Sequence, residues 1–152
     1  IGFRHNQEEF VEFAKVQLNI QQNKRTEALE KLESIFDSNE IYITDMCRYQ
    51  HAWLTFLQGD PEITKIQLSK IENETIFKEL AHIFQAEILD FIDKDISNAI
   101  DSYLEFLELY PQSIYYDDVR LRLRELASRI FRREGKGVRW QECLSWNFGL
   151  ME

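Results

Sequence analysis

Three histidines, two cysteines and one Gly-Lys-Gly run are the residues of this 152-residue chain that could do chemistry, and none has the spacing that chemistry needs. His5, His51 and His82 lie far apart, and none belongs to a His-Glu-x-x-His pair, which would set two imidazoles on one helix face around zinc. Cys47 and Cys143 fit no zinc spacing and are too few for a disulfide framework, so both read as free thiols, with a bridge between them as the alternative. Gly135-Lys136-Gly137 lacks the preceding strand and the spacing of a phosphate loop, and Asp93 and Asp95 read as helix punctuation. Asn73-Glu74-Thr75 matches a glycosylation acceptor, but an Asn or Thr capping a helix explains it equally well. The reading is a non-enzymatic protein with no cofactor and no metal.

The elements behind these residues are helical. Five Gly and two Pro among many Leu, Ile, Glu and Phe argue against a sheet protein. Apolar residues recur at helical spacing in Phe10, Phe13, Ala14 and Leu18, in Tyr49, Ala52, Trp53 and Phe56, in Phe84, Ile88 and Phe91, and in Tyr103, Phe106 and Tyr110. The pattern predicts seven helices near 6–22, 25–38, 42–58, 61–72, 75–92, 96–110 and 114–133. Asp60 before Pro61 is an N-cap followed by a first-turn Pro, and Asp95 and Ser113 are further caps. No apolar run has the length needed to span a membrane.

Charge divides unevenly along the chain. Residues 1–73 carry 8 Lys or Arg against 12 acids, residues 74–118 carry 2 against 11, and residues 119–152 carry 8 against 4. The acidic middle would repel nucleic acid, whose binding depends on neutralising phosphates, so no nucleic-acid partner is expected. In the basic end, Asp118 lies four residues before Arg122 and Glu125 four before Arg129, a spacing that predicts surface helix pairs, with a contact to an acidic partner or to the next acidic unit as the alternative.

Asp95 to Pro111, with Ala99, Tyr103 and Pro111 spaced by four and then eight residues, resembles the second helix of a tetratricopeptide repeat. The resemblance recurs: Ala28 and Thr64 take the place of Ala99 at steps of 36 and 35 residues, and Ala14, Ala52 and Ala86 mark the first helices at steps of 38 and 34. It departs from the family in lacking a Gly after the first-helix Leu and in ending only one unit with Pro. The resemblance implies an all-α fold of antiparallel helix pairs stacked as a right-handed α-α superhelix. Residues 1–134 would form the repeat domain and 135–152 a C-terminal capping tail.

Phe106 to Leu126 is similar, more narrowly, to tetratricopeptide proteins of bacterial cell envelopes, through Tyr110, Pro111, Ser113, Tyr115, Asp117 and Asp118. That implies a bacterial source and a periplasmic or envelope location, with the cytoplasm as the alternative. The chain begins at Ile1 without Met or a signal-like stretch and reads as a fragment or a processed product.

The family implies a protein-protein adaptor or scaffold that holds a partner segment in a concave groove. The alternatives are a structural segment of a longer solenoid, or the repeat module of a regulator with a fused DNA-binding domain. A step of 35 residues pairs Tyr49, Trp53 and Phe56 with Phe84, Ile88 and Phe91 as the partner-binding face, and filling of the interface between helices is the competing reading of the same residues. The clamp by which related proteins hold acidic tails is half missing. Lys15 and Asn19 have the spacing of its first pair, but the third helix has no Asn, and Lys78 is followed by His82 with no Arg. The tail, with Trp140, Leu144, Trp146, Phe148 and Leu150, is expected to fold back on the last helix or to dock on a second copy as a homodimer.

Overall fold

In the computed structural model of the protein, residues 2–37 and 40–133 are described, with side chains for 8–37 and 40–132. The expected capping tail, residues 135–152, and the tail-mediated dimer lie outside these. Among the described residues the fold is all-α, with no strand. Its helices are α1 (Gly2–Gln21), α2 (Arg25–Ile35), α3 (Ile41–Leu57), α4 (Pro61–Ser69), α5 (Ile76–Glu87), α6 (Ile96–Leu109) and α7 (Tyr116–Arg133), and a π-helical turn at Ile88–Ile92 extends α5. No described helix is long and apolar enough to cross a membrane.

The chain forms two compact units, Ile1–Ile88 and Leu89–Glu152. In the first, each helix from α1 to α5 packs on the next, and α3 also packs on α5. One core cluster joins Val16 of α1, Ala28 and Leu32 of α2, and Ile43, Cys47 and Leu54 of α3. A second joins Ala52 of α3, Leu68 of α4, and Ala81 and Phe84 of α5 with Ile88. Because α3 serves both clusters it is buried on most sides, and its buried polar groups need partners. Asp45 accepts from Asn73 Nδ2 at 3.0 Å and Thr75 Oγ1 at 2.7 Å, and Thr55 Oγ1 donates to the His51 carbonyl at 2.9 Å. The side chains of Asn73 and Thr75 thus hold a buried carboxylate on α3, and Thr75 stands at the N-cap of α5 without capping it through its side chain.

The turns that join helix pairs repeat. Asn23, Gly59 and Lys94 all have left-handed backbone, with φ of 59°, 89° and 58°, at steps of 36 and 35 residues. Five residues after each of them stands a fully buried small residue, Ala28, Thr64 or Ala99. In the first two turns the amide of the next residue bonds a carbonyl five residues back, Lys24 to Asn19 at 2.8 Å and Asp60 to Thr55 at 3.3 Å. At the third, Asp95 reaches six back, to Leu89, at 2.9 Å. The extra residue is taken up by the π-helical turn.

That turn also accounts for two steps that disagree in the sequence. Up to the first residue of the turn, buried residues match those of α3 at 34, as Cys47 with Ala81, Ala52 with Ala86 and Leu54 with Ile88. After it the step is 35, as Gly59 with Lys94 and Thr64 with Ala99. Capping follows the sequence at two sites, where Asp60 accepts from the Ile63 amide and Asp95 from the Asn98 amide. Ser113 bonds the Tyr115 amide ahead of α7, which starts two residues later than the pattern predicts.

One expected face is displaced. Ala14, Phe10 and Leu18 are exposed, and α1 instead packs with Val16, flanked by Phe13 and Ile20. The helix carries two apolar stripes, and periodicity alone does not choose between them.

In the second unit α6 packs on α7, burying Ala99, Tyr103 and Phe106 with Val119, Leu123 and Leu126. Asp90, 3% exposed, lies in the π-helical turn. It accepts from Arg122 Nε at 2.7 Å and a terminal nitrogen of the same guanidinium at 2.8 Å, and from the Tyr103 hydroxyl at 3.2 Å. Arg122 therefore turns inward to Asp90, also donates to Glu125 at 2.9 Å, and does not serve as the surface partner of Asp118.

Candidate functional site

Tyr42, Tyr49 and Phe56 follow one another on α3 at intervals of seven residues, and Phe77 and Phe84 do the same on α5, so each set lies along one helix face. Where α3 and α5 meet, these rings interleave. Tyr42 lies 5.1 Å from Phe77 between centroids, Tyr49 lies 6.0 Å from Phe77 and 6.2 Å from Phe84, and Phe56 meets Phe84 edge-on at 5.2 Å. Trp53 covers this band, stacked on Phe56 at 6.1 Å with 27° between planes and 5.5 Å from Phe84.

The six residues expected to form a binding face have different placements. Phe84 is 6% exposed and Ile88 1%, so both lie in the core, Phe84 as the buried ring of the band. Tyr49 and Phe56 are half-buried, and Trp53 is 42% exposed. Phe91 belongs to the second unit, where it is exposed and the Arg122 guanidinium lies 4.5 Å from its ring centroid. The pairing at a step of 35 is replaced by the 34 that the core residues keep, so Trp53 and Ile88 are not equivalent positions. Tyr42 and Phe77 are additional members that the sequence reading missed, and the seven-residue spacing was the signal for them.

What this surface offers is a rigid aromatic platform. Trp53 and Tyr42 are large, partly exposed rings held from beneath by other rings, so little side-chain freedom remains to be lost on contact. Such anchors supply much of the binding energy at protein interfaces.

Cys143 and Gly135-Lys136-Gly137 lie outside the described residues, and several of the described residues that could do other chemistry are otherwise engaged. Burial, with a smaller contribution from Glu9, pushes the Cys47 thiol up to about 12, so at neutral pH it is protonated and a poor nucleophile. Lys15 is ion-paired with Glu12 and Lys78 with Glu74, which neutralises two lysines of the incomplete acidic-tail clamp. Among the described residues no group of His, Cys, Asp or Glu is placed to hold a metal.

His51 is buried, with Nε2 3.1 Å from Glu33 and Nδ1 3.4 Å from the Thr55 hydroxyl. Burial lowers its pKa, Lys70 adds slightly, and Glu33 opposes the shift. A folded-state value below the unfolded one means that the unfolded chain takes up the proton first. The contribution of His51 to stability is then complete above about pH 6.5 and is lost as the pH falls through the lowered value. The expected result is a thermal midpoint that drops as the pH falls below about 6.5, with His51→Gln flattening that slope. An equal slope in the variant would place the dependence elsewhere.

No protein-family model and no curated protein matches the chain.

Proposed function

We propose that the protein is a non-enzymatic adaptor of tetratricopeptide type, whose helix pairs stack as a right-handed superhelix and which binds a partner protein segment on the aromatic band of α3 and α5. The observation that carries the binding site is Trp53, a large ring left 42% exposed on a supporting layer of Phe56 and Phe84. The repeat reading is supported by the three left-handed turns at steps of 36 and 35 residues, each five residues before a buried small side chain. The cell-envelope reading rests on the Tyr110 to Asp118 linker, in which Asp117 and Asp118 enter the first turn of α7 where acids favour the positive helix end.

Trp53→Ser tests the site. The substitution should cost about 1 kcal/mol of stability or less, as expected for a partly exposed position. It should abolish retention of specific partners when wild-type and variant chains are compared by quantitative affinity capture from the native organism. Identical sets of retained proteins would remove Trp53 from the binding face. A second reading, an internal segment of a longer solenoid, is favoured by the exposed stripe of Phe10, Ala14 and Leu18 on α1, a face that a preceding repeat could cover.

A further inference from the structure

In the second unit a cavity of about 490 Å³ is lined by Lys94, Ile96, Arg129, Ile130 and Arg132. Lys94 belongs to the turn before α6, Ile96 opens α6, and the other three lie in the last turns of α7. Ile96 and Ile130 are half-buried and form apolar wall, whereas the three cations stand exposed around it. A concave apolar site of this size with a few charged groups has the make-up of a small-ligand pocket.

The three cations are set apart by their shared place around one cavity, since Arg124, outside it, likewise has no carboxylate partner among the described residues. Arg120 has Asp117 at 3.9 Å, and Arg122 has Asp90 and Glu125, whereas no carboxylate among the described residues pairs with Lys94, Arg129 or Arg132. Arg129 and Arg132 are three apart on one helix, a like-charge spacing that destabilises unless a counter-charge is present.

Lys94 has φ of 58°, in the region that Gly enters freely and that a residue with a Cβ adopts only at a steric cost. The equivalent turns use Asn23 and Gly59. The chain places a cation there in a stretch, residues 74–118, with only 2 basic residues against 11 acids. Of the acids flanking Lys94, Asp95 is engaged with the amide and side chain of Asn98, and Asp93 also has a partner.

We propose that this cavity binds a small anionic amphiphile, an aliphatic chain bearing a carboxylate or phosphate head. The chain lies against Ile96 and Ile130, and the head is held by Lys94, Arg129 and Arg132 through charge-assisted hydrogen bonds. The site is independent of the aromatic band and of the adaptor reading.

Calorimetric titration of the full chain with decanoate, decyl phosphate and decanol, each below its micelle concentration, tests the proposal. Saturable binding of at least one anionic probe is expected, with decanol weaker by about tenfold or more. The tighter of the two anions identifies the head group. The Arg129→Gln/Arg132→Gln variant should weaken the anionic probe by about tenfold or more and leave decanol unchanged.

Lys94→Gly adds a variant that cannot fail through misfolding at the turn, because glycine suits the left-handed backbone. It should raise the thermal midpoint while weakening the anionic probe. Absence of saturable binding, decanol binding as tightly as the anions, or either variant binding the anion like wild type would overturn the proposal.

Discussion

Arg122→Ala is expected to destabilise the second unit by about 3–5 kcal/mol, because it strands a buried carboxylate. Asp90 is 3% exposed and takes both of its short bonds, 2.7 and 2.8 Å, from one guanidinium. The hydrogen bond from Arg122 to Asp90 is the main reason the guanidinium is held more basic than usual. Without it Asp90 keeps the Tyr103 hydroxyl at 3.2 Å, a neutral donor on one oxygen.

Removing both charges should be far milder than removing one, since an apolar pair of similar volume replaces a buried ion pair at little cost. Asp90→Leu/Arg122→Leu should therefore recover most of the loss. Amide hydrogen exchange across α6 and α7, read beside urea unfolding, would locate the effect in this unit. A loss below about 1 kcal/mol for Arg122→Ala would reduce the pair to the standing of a surface ion pair.

Arg122 also marks the limit of what could be read in the sequence. Charge spacing along α7 pairs it with Asp118, because spacing sees only residues on the same helix. Its actual partner is 32 residues away and is presented from a π-helical turn. One inserted residue rotates the downstream side chains by about 100° around a helix, and nothing in the composition of Ile88–Ile92 announces it.

The legible part was the part set by local rules. All seven described α-helices overlap the expected ones, with ends that differ by up to five residues, because periodicity, few glycines and the Asp60-Pro61 and Asp95 start signals act within single helices. Helix facing was legible where one apolar stripe is present, as on α6 with Tyr103 and Phe106, and not on α1, which has two. The role of Asn73 and Thr75 was hidden for the same reason as that of Arg122, because the buried Asp45 that they hold lies 28 and 30 residues away.

Phe84→Ala is the other change expected to have a large effect, about 3–5 kcal/mol, and it separates the two roles mixed within the aromatic band. Phe84 lies in contact with three rings, Tyr49 at 6.2 Å, Trp53 at 5.5 Å and Phe56 at 5.2 Å, and is packed in the core shared by α3, α4 and α5. Truncation removes the ring's transfer energy and leaves a void that three large neighbours on a rigid interface cannot collapse to fill. Replacing Phe84 together with Trp53 as a test of binding would therefore confuse lost folding with lost capture.

Phe84→Leu keeps much of the volume and should cost less than half as much as the alanine. Trp53→Ser, on the outer side of the same cluster, should cost about 1 kcal/mol or less. Denaturant unfolding followed by far-ultraviolet circular dichroism would rank the three. If Phe84→Ala proved as mild as Trp53→Ser, the inner ring would be dispensable to the core, and the distinction between a supporting layer and an exposed anchor would fail with it.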